Sequence, residues 1–328
     1  MKAIQFFAIA ALGAALFASC SSEEELAQSN YPMDNVVRIM TSVDGMNTRA
    51  SYGNSADKLK SFGFCIKNAN SEKYTYDNIK VSQKGYNWIP ATQMLWQNST
   101  TAVDILAYAP YQETTEDANG KVKVFGKTDY AFSVKEDQSN AEDYSSDLIV
   151  FKQTGFTPVS ELNTSKAVEV AFTHLLSQLN LIIELRDQFN TNNNTVTKGF
   201  VTDVKVNGTI ISSKVDFSAS PISVQVDGTQ TAAITPETTG FTPAENATAH
   251  AVFNYSAIVI PQTVAAGNFS ISFKVNNTEY IWTATDAVTF ESGKKHELHL
   301  LAGKDVVQGG AISAKPWGKE TITEKETD

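Results

Sequence analysis

Only two cysteines occur in 328 residues, so the chain can hold at most one disulfide and is no stapled scaffold. Nine prolines are too few for a proline-rich stalk, and eighteen glycines are too few for a collagen-like repeat. Basic residues are scarce and unclustered: 26 Lys and Arg stand against 36 Asp and Glu, a net charge of −10. An acidic chain without a Lys/Arg-rich run gains little from counterion release, which argues against nucleic-acid partners. A Gly-x-Ser-x-Gly elbow, a phosphate loop and a dinucleotide fingerprint are all missing. What the chain does have is apolar residues, 42 % of the total, enough for packed cores. Its length suits two domains of ordinary size.

The N-terminus carries an address. Lys2 precedes a mostly apolar stretch, Ala3–Phe17, which is too short for a stable membrane span and fits a signal peptide over 1–19. Leu16-Phe17-Ala18-Ser19-Cys20 resembles the lipobox of a bacterial lipoprotein, in which the Cys20 thiol takes a diacylglycerol. Ser21-Ser22-Glu23-Glu24-Glu25 follows, similar to the surface-export signal of lipoproteins in the Bacteroides group, and opens a polar tether over 20–33. These features predict an outer-membrane lipoprotein precursor displayed on the cell surface. With Cys20 acylated, Cys65 stands alone between Phe64 and Ile66, where a buried, inert thiol is expected.

Hydrophobic periodicity is two almost throughout. Val37, Ile39, Thr41 and Val43 alternate with Arg38, Met40 and Ser42, the pattern of a half-buried strand. Similar alternation marks Phe62–Ile66, Val103–Ala107, Val122–Val124, Tyr130–Val134, Val168–Phe172 and Phe269–Phe273, with turn signals such as Lys84-Gly85 and Asn207-Gly208 in between. Leu179–Leu185 is rich enough in β-branched residues to favour a strand after a short turn near His174. The reading is all-β: two tandem β-sandwich domains, 34–173 and 174–328.

Chemistry is sparse. His296 and His299 are three apart on an expected strand, so they point to opposite faces and make no zinc pair. His174 and His250 have no ligand cluster nearby in sequence and read as surface or satisfied core residues. Glu136, Glu142, Asp143 and Asp147 read as a solvated acidic loop, since they lack the regular oxygen spacing of a calcium site. Trp88, Trp96, Trp282 and Trp317 are scattered and read as core residues. No catalytic group, metal site or cofactor is expected.

A series of short segments nevertheless occurs in a telling order: Asn47-Thr48-Arg49-Ala50, Lys60–Phe64, Met94-Leu95-Trp96, Val103–Tyr111, Ser146–Val150, Val170–Leu179, Ile258–Thr263, Thr289–Lys294 and Ile312–Gly318. In that order, and after a lipobox, they make the chain resemble the fimbrillin family, subunits of the lipoprotein-derived type V pili of the Bacteroides group. The resemblance implies two transthyretin-like β-sandwich domains. It also implies a trypsin-like processing protease that cuts after the Arg following the first strand, here between Arg49 and Ala50. The first strand, with Val37, Ile39, Thr41 and Val43, would then leave with the lipid. The vacated groove would take a donor strand from a neighbouring pilus subunit, giving an open fibre. The donor candidate lies near 311–322, with Ile312, Ala314 and Trp317, although Pro316 lacks an N–H and Trp317 breaks the alternation. Two other readings share the export signals: a monomeric surface lipoprotein binding glycan or host matrix, and a non-polymerising pilus anchor.

Overall fold

The computed structural model describes residues 30–44, 58–113, 124–190 and 196–317. Strands dominate. In the first half they are β1 (Ile39–Asp44), β2 (Ser61–Lys67), β3 (Tyr76–Lys84), β4 (Asn87–Pro90), β5 (Val103–Ala109), β6 (Tyr130–Ser133), β7 (Ile149–Phe156) and β8 (Val168–His174). Then come β9 (Ser177–Leu185), β10 (Val201–Ile210), β11 (Ser212–Asp216), β12 (Ser223–Val226), β13 (Thr231–Ile234), β14 (Glu237–Thr242) and β15 (Ala251–Val259). The last are β16 (Gln262–Val264), β17 (Ser270–Val275), β18 (Thr278–Thr283), β19 (Val288–Phe290), β20 (Lys294–Ala302), β21 (Val307–Gly309) and β22 (Ser313–Pro316). The α-helical content of the described residues is a single turn, Pro158–Glu161.

A seven-stranded sheet runs β1-β8-β7-β5-β2-β3-β4. Its central strands are apolar on both faces because both faces are covered. Phe62, Phe64, Ile66, Ile105 and Ala107 point into one cluster with Val168, Val170 and Phe172. Cys65, Leu106, Tyr108 and Val150 point the other way, into a larger cluster completed by residues after 174. The first half also lends a strand: β6 pairs with β11, Tyr130 lying opposite Val215. Tyr108, Tyr130 and Phe217 meet there with ring centroids 5.0–5.7 Å apart.

The larger cluster rests on the sheet β14-β15-β9-β20-β21, with β22 also paired to β20. Leu179, Leu181, Ile183 and Leu185 of β9 are buried while Asn180, Ile182 and Glu184 are half-buried, the strand pattern expected for that apolar run. Two local expectations need correction. Asn207-Gly208 is not a turn but lies within β10, where the register slips between Val206 and Thr209. Gly208 takes a φ of +91°, and a Cβ there would come within 1.9 Å of the Asn268 carbonyl oxygen, so a bulge under close backbone approach requires glycine. The expected Val122–Val124 strand begins outside the described residues, and Val124 itself belongs to no strand.

Candidate functional site: the first strand and the C-terminal segment

β1 lies at one end of the seven-stranded sheet. Among the described residues its ladder is to β8 alone, parallel, from Ile39 opposite Val168 to Asp44 opposite Thr173. The residues before it are pinned elsewhere: Val37 N–H donates to the Met94 carbonyl at 3.0 Å, and Trp96 N–H donates to that of Asn35 at 2.8 Å. Val37, Ile39 and Val43 are buried in the smaller cluster, whereas Arg38, Met40 and Ser42 face outward. Thr41 is half-buried, and its hydroxyl has no hydrogen-bond partner among the described residues. Arg38 forks onto the Asp34 carboxylate at 2.6 and 3.0 Å, and that hydrogen-bonded guanidinium holds the exposed Asp34 carboxyl down to about 2. Cys20, Arg49 and Ala50 lie outside the described residues.

At the other end of the chain, β22 pairs antiparallel with the start of β20, from Ser313 opposite Glu297 to Pro316 opposite Lys294. All four β22 side chains are exposed, Ala314 among them, while Ile312 is half-buried against the larger cluster. Within its own chain the segment therefore buries Ile312 in part and leaves Ala314 in solvent. Pro316 is tolerated because it stands in an edge strand. Trp317 leaves the strand and turns inward. It is 6 % exposed, its backbone N–H donates to the Gly293 carbonyl at 2.8 Å, and its indole stacks on the His174 imidazole. Residues 318–322 of the donor candidate lie outside the described residues.

The His174 surroundings correct one expectation. Asp147 does not belong to a solvated loop: its side chain is fully buried and accepts a 2.9 Å hydrogen bond from His174 Nδ1. These residues are 27 apart, so no local signal in the sequence pairs them. Lys295 lies over the Trp317 ring at 6.0 Å, and burial pushes its ammonium down to about 8 against the attraction of Asp147. Further along the β9–β20 pair, His299 Nε2 and His250 Nδ1 each reach a different oxygen of Glu184, His299 at 2.6 Å. His296, by contrast, is buried, in keeping with the opposite facing of the two β20 histidines. Among the described residues, no group of three or more His, Cys, Asp or Glu is placed to hold a metal ion. Cys65 is fully buried, and that burial drives its thiol pKa well up, away from reactivity. Of the tryptophans, Trp96 and Trp317 are core residues, whereas Trp88 and Trp282 are only half-buried.

Residues 48–317 match the fimbrillin-like family. The chain belongs to that family. The match ends on Trp317, the residue that stacks on His174. No curated protein is significantly similar to this fimbrillin-like chain in sequence. Its fold is shared with a fimbrial protein from Bacteroides vulgatus at 18 % identity and a TM-score of 0.54, covering 86 % of this chain and 99 % of that one. Candidate cell adhesion proteins from Bacteroides uniformis and Bacteroides ovatus align similarly. The first has 18 % identity and a TM-score of 0.56 over 87 % of this chain and 99 % of its own. The second has 14 % identity and a TM-score of 0.59 over 87 % and 98 %.

Proposed function

We propose that this fimbrillin-like chain is a structural and adhesive subunit of a cell-surface pilus, exported as an outer-membrane lipoprotein through Cys20. On this reading a trypsin-like protease cuts between Arg49 and Ala50, removes the first strand and leaves 328 − 49 = 279 residues able to polymerise by donor-strand exchange. The observation that carries the reading is the position of β1. As an end strand whose ladder among the described residues is to β8 alone, it can leave without breaking any ladder between the strands that remain.

Its departure would be costly until the groove is refilled. Burial of Val37, Ile39 and Val43 is worth roughly 1.5–3 kcal/mol each, and β8 would be left with an unpaired edge over Val168–Thr173. An extended segment from a second subunit supplies both backbone partners and alternating side chains. The C-terminal segment suits that role because β22 commits no side chain of its own to a core and is tied down by a four-residue ladder and Trp317.

Digestion of the purified chain with an Arg-specific protease, followed by size analysis, tests the reading. A cut at Arg49 should be followed by growth of larger species, and deletion of Ala311–Asp328 should abolish growth but not cutting. A clean cut that leaves a monomer at high concentration overturns the pilin reading in favour of the monomeric surface binder.

A further inference from the structure

A groove of about 610 Å³ opens between the two ends of the seven-stranded sheet, with Val36–Met40 as one wall and Tyr86–Pro90 as the other. Its size falls within the range of small-ligand sites. The Tyr86 ring is fully exposed at the rim, and Trp88, two residues on, lines the same groove. Trp88 is held in place from behind by Phe62, whose ring centroid lies 5.1 Å away at an interplanar angle of 62°. Asn87, Gln93 and Ser165 also border the groove, all exposed, and their side chains make no hydrogen bond to any described residue. The one charged lining residue, Arg38, is already neutralised by Asp34.

The contents of this groove select a ligand class. Aromatic side chains offer flat apolar faces, and uncommitted amides and a hydroxyl offer free donors and acceptors along the rim. Without a free charge, the groove gains nothing from an anionic or cationic ligand and leaves none of its own groups unpaired with a neutral one. An uncharged sugar chain has both required features, rings with apolar C–H faces and a rim of hydroxyls. We infer that the groove between β1 and β4 is a binding site for a short uncharged oligosaccharide, seated on Tyr86 and Trp88 and hydrogen-bonded by Asn87, Gln93 and Ser165. Because Val36–Met40 form one wall, the site exists only while the first strand is in place.

The test uses the purified, uncut full chain and an array of uncharged gluco-, galacto- and N-acetylhexosamine oligosaccharides alongside sialylated and sulfated ones. Hits are then titrated as free trisaccharides. Saturable binding to an uncharged member is expected, weakened about tenfold or more by Tyr86→Ala and by Gln93→Ala. Both residues are exposed, so neither change should unfold the protein, and Ile281→Ala on another sheet should leave binding unaltered. Failure of every uncharged glycan, preference for acidic ones, or indifference to both substitutions overturns the assignment. So does an extended peptide or a second copy of the chain occupying the groove instead. Because the uncut chain is used, the result is independent of whether cleaved subunits polymerise.

Discussion

The imidazole of His174 and the indole of Trp317 lie face to face, their ring centroids 3.8 Å apart and their planes within 4° of parallel. His174 ends β8, the strand on which β1 is laid, and Trp317 follows β22. One stacked pair therefore joins the C-terminal segment to the strand that holds the first one. His174 Nδ1 is engaged by Asp147, while His174 Nε2 and Trp317 Nε1 have no hydrogen-bond partner among the described residues. The contact thus rests on ring packing, reinforced by the buried carboxylate behind the imidazole.

Trp317→Ala should loosen β22 before it affects the rest of the fold. Truncating a buried Trp costs about 3–5 kcal/mol, although an end segment can fray and escape part of that loss. Amide exchange should accelerate at least about tenfold at those of Lys294–Glu297 whose N–H groups face β22, while that of β9 is unchanged. Unchanged protection at those residues would mean that the ladder holds β22 without the indole.

Ile39→Asp should destabilise the uncut chain as a core substitution does. Ile39 is 6 % exposed, and an unpaired carboxylate at this site must either be protonated or open the strand. A melting temperature lower by about 5 °C or more is expected, against almost no change for Met40→Asp on the outward face. Equal melting of both variants would show that the segment contributes nothing to the fold.

Glu184 sets an acid limit. Burial raises its pKa, but hydrogen bonds from His250 and His299 more than offset this and hold it below the ordinary carboxylate value. A carboxyl depressed in the folded state contributes stability above its unfolded pKa and loses it as pH falls through the folded one. Glu184→Gln should therefore melt about 1–3 °C lower than wild type at pH 7. That gap should narrow as pH falls below the ordinary glutamate range, in melting curves recorded across it. A gap constant with pH would exclude the ion pairs as its cause.

Lys295 acts in the opposite range. Its pKa of about 8 means the unfolded chain binds more protons between there and the ordinary lysine value, so stability from this group rises with pH over that window. Relative to Lys295→Met, the wild type should gain melting temperature from pH 8 to 10. A flat difference would place the ammonium in water.

Much of the strand layout is legible in the sequence because side chains alternate with period two wherever a sheet has one covered face. That is how Val37, Ile39 and Val43 stand out from Arg38 and Met40. The same rule separates His296 from His299 on β20. It says less about β5, buried on both faces, and it misses the bulge at Gly208, where an Asn-Gly pair meant for a turn is held inside a strand by the approach of Asn268. The neighbours of β1, the pairing of Asp147 with His174, the inward turn of Trp317 and the exposure of Tyr86 beside Trp88 all depend on contacts between distant segments. Local pattern fixes which way a side chain points from its own strand, since that is set by backbone geometry. What it meets there is fixed only when strands far apart in the chain are brought together and buried, and at that stage the tertiary structure decides.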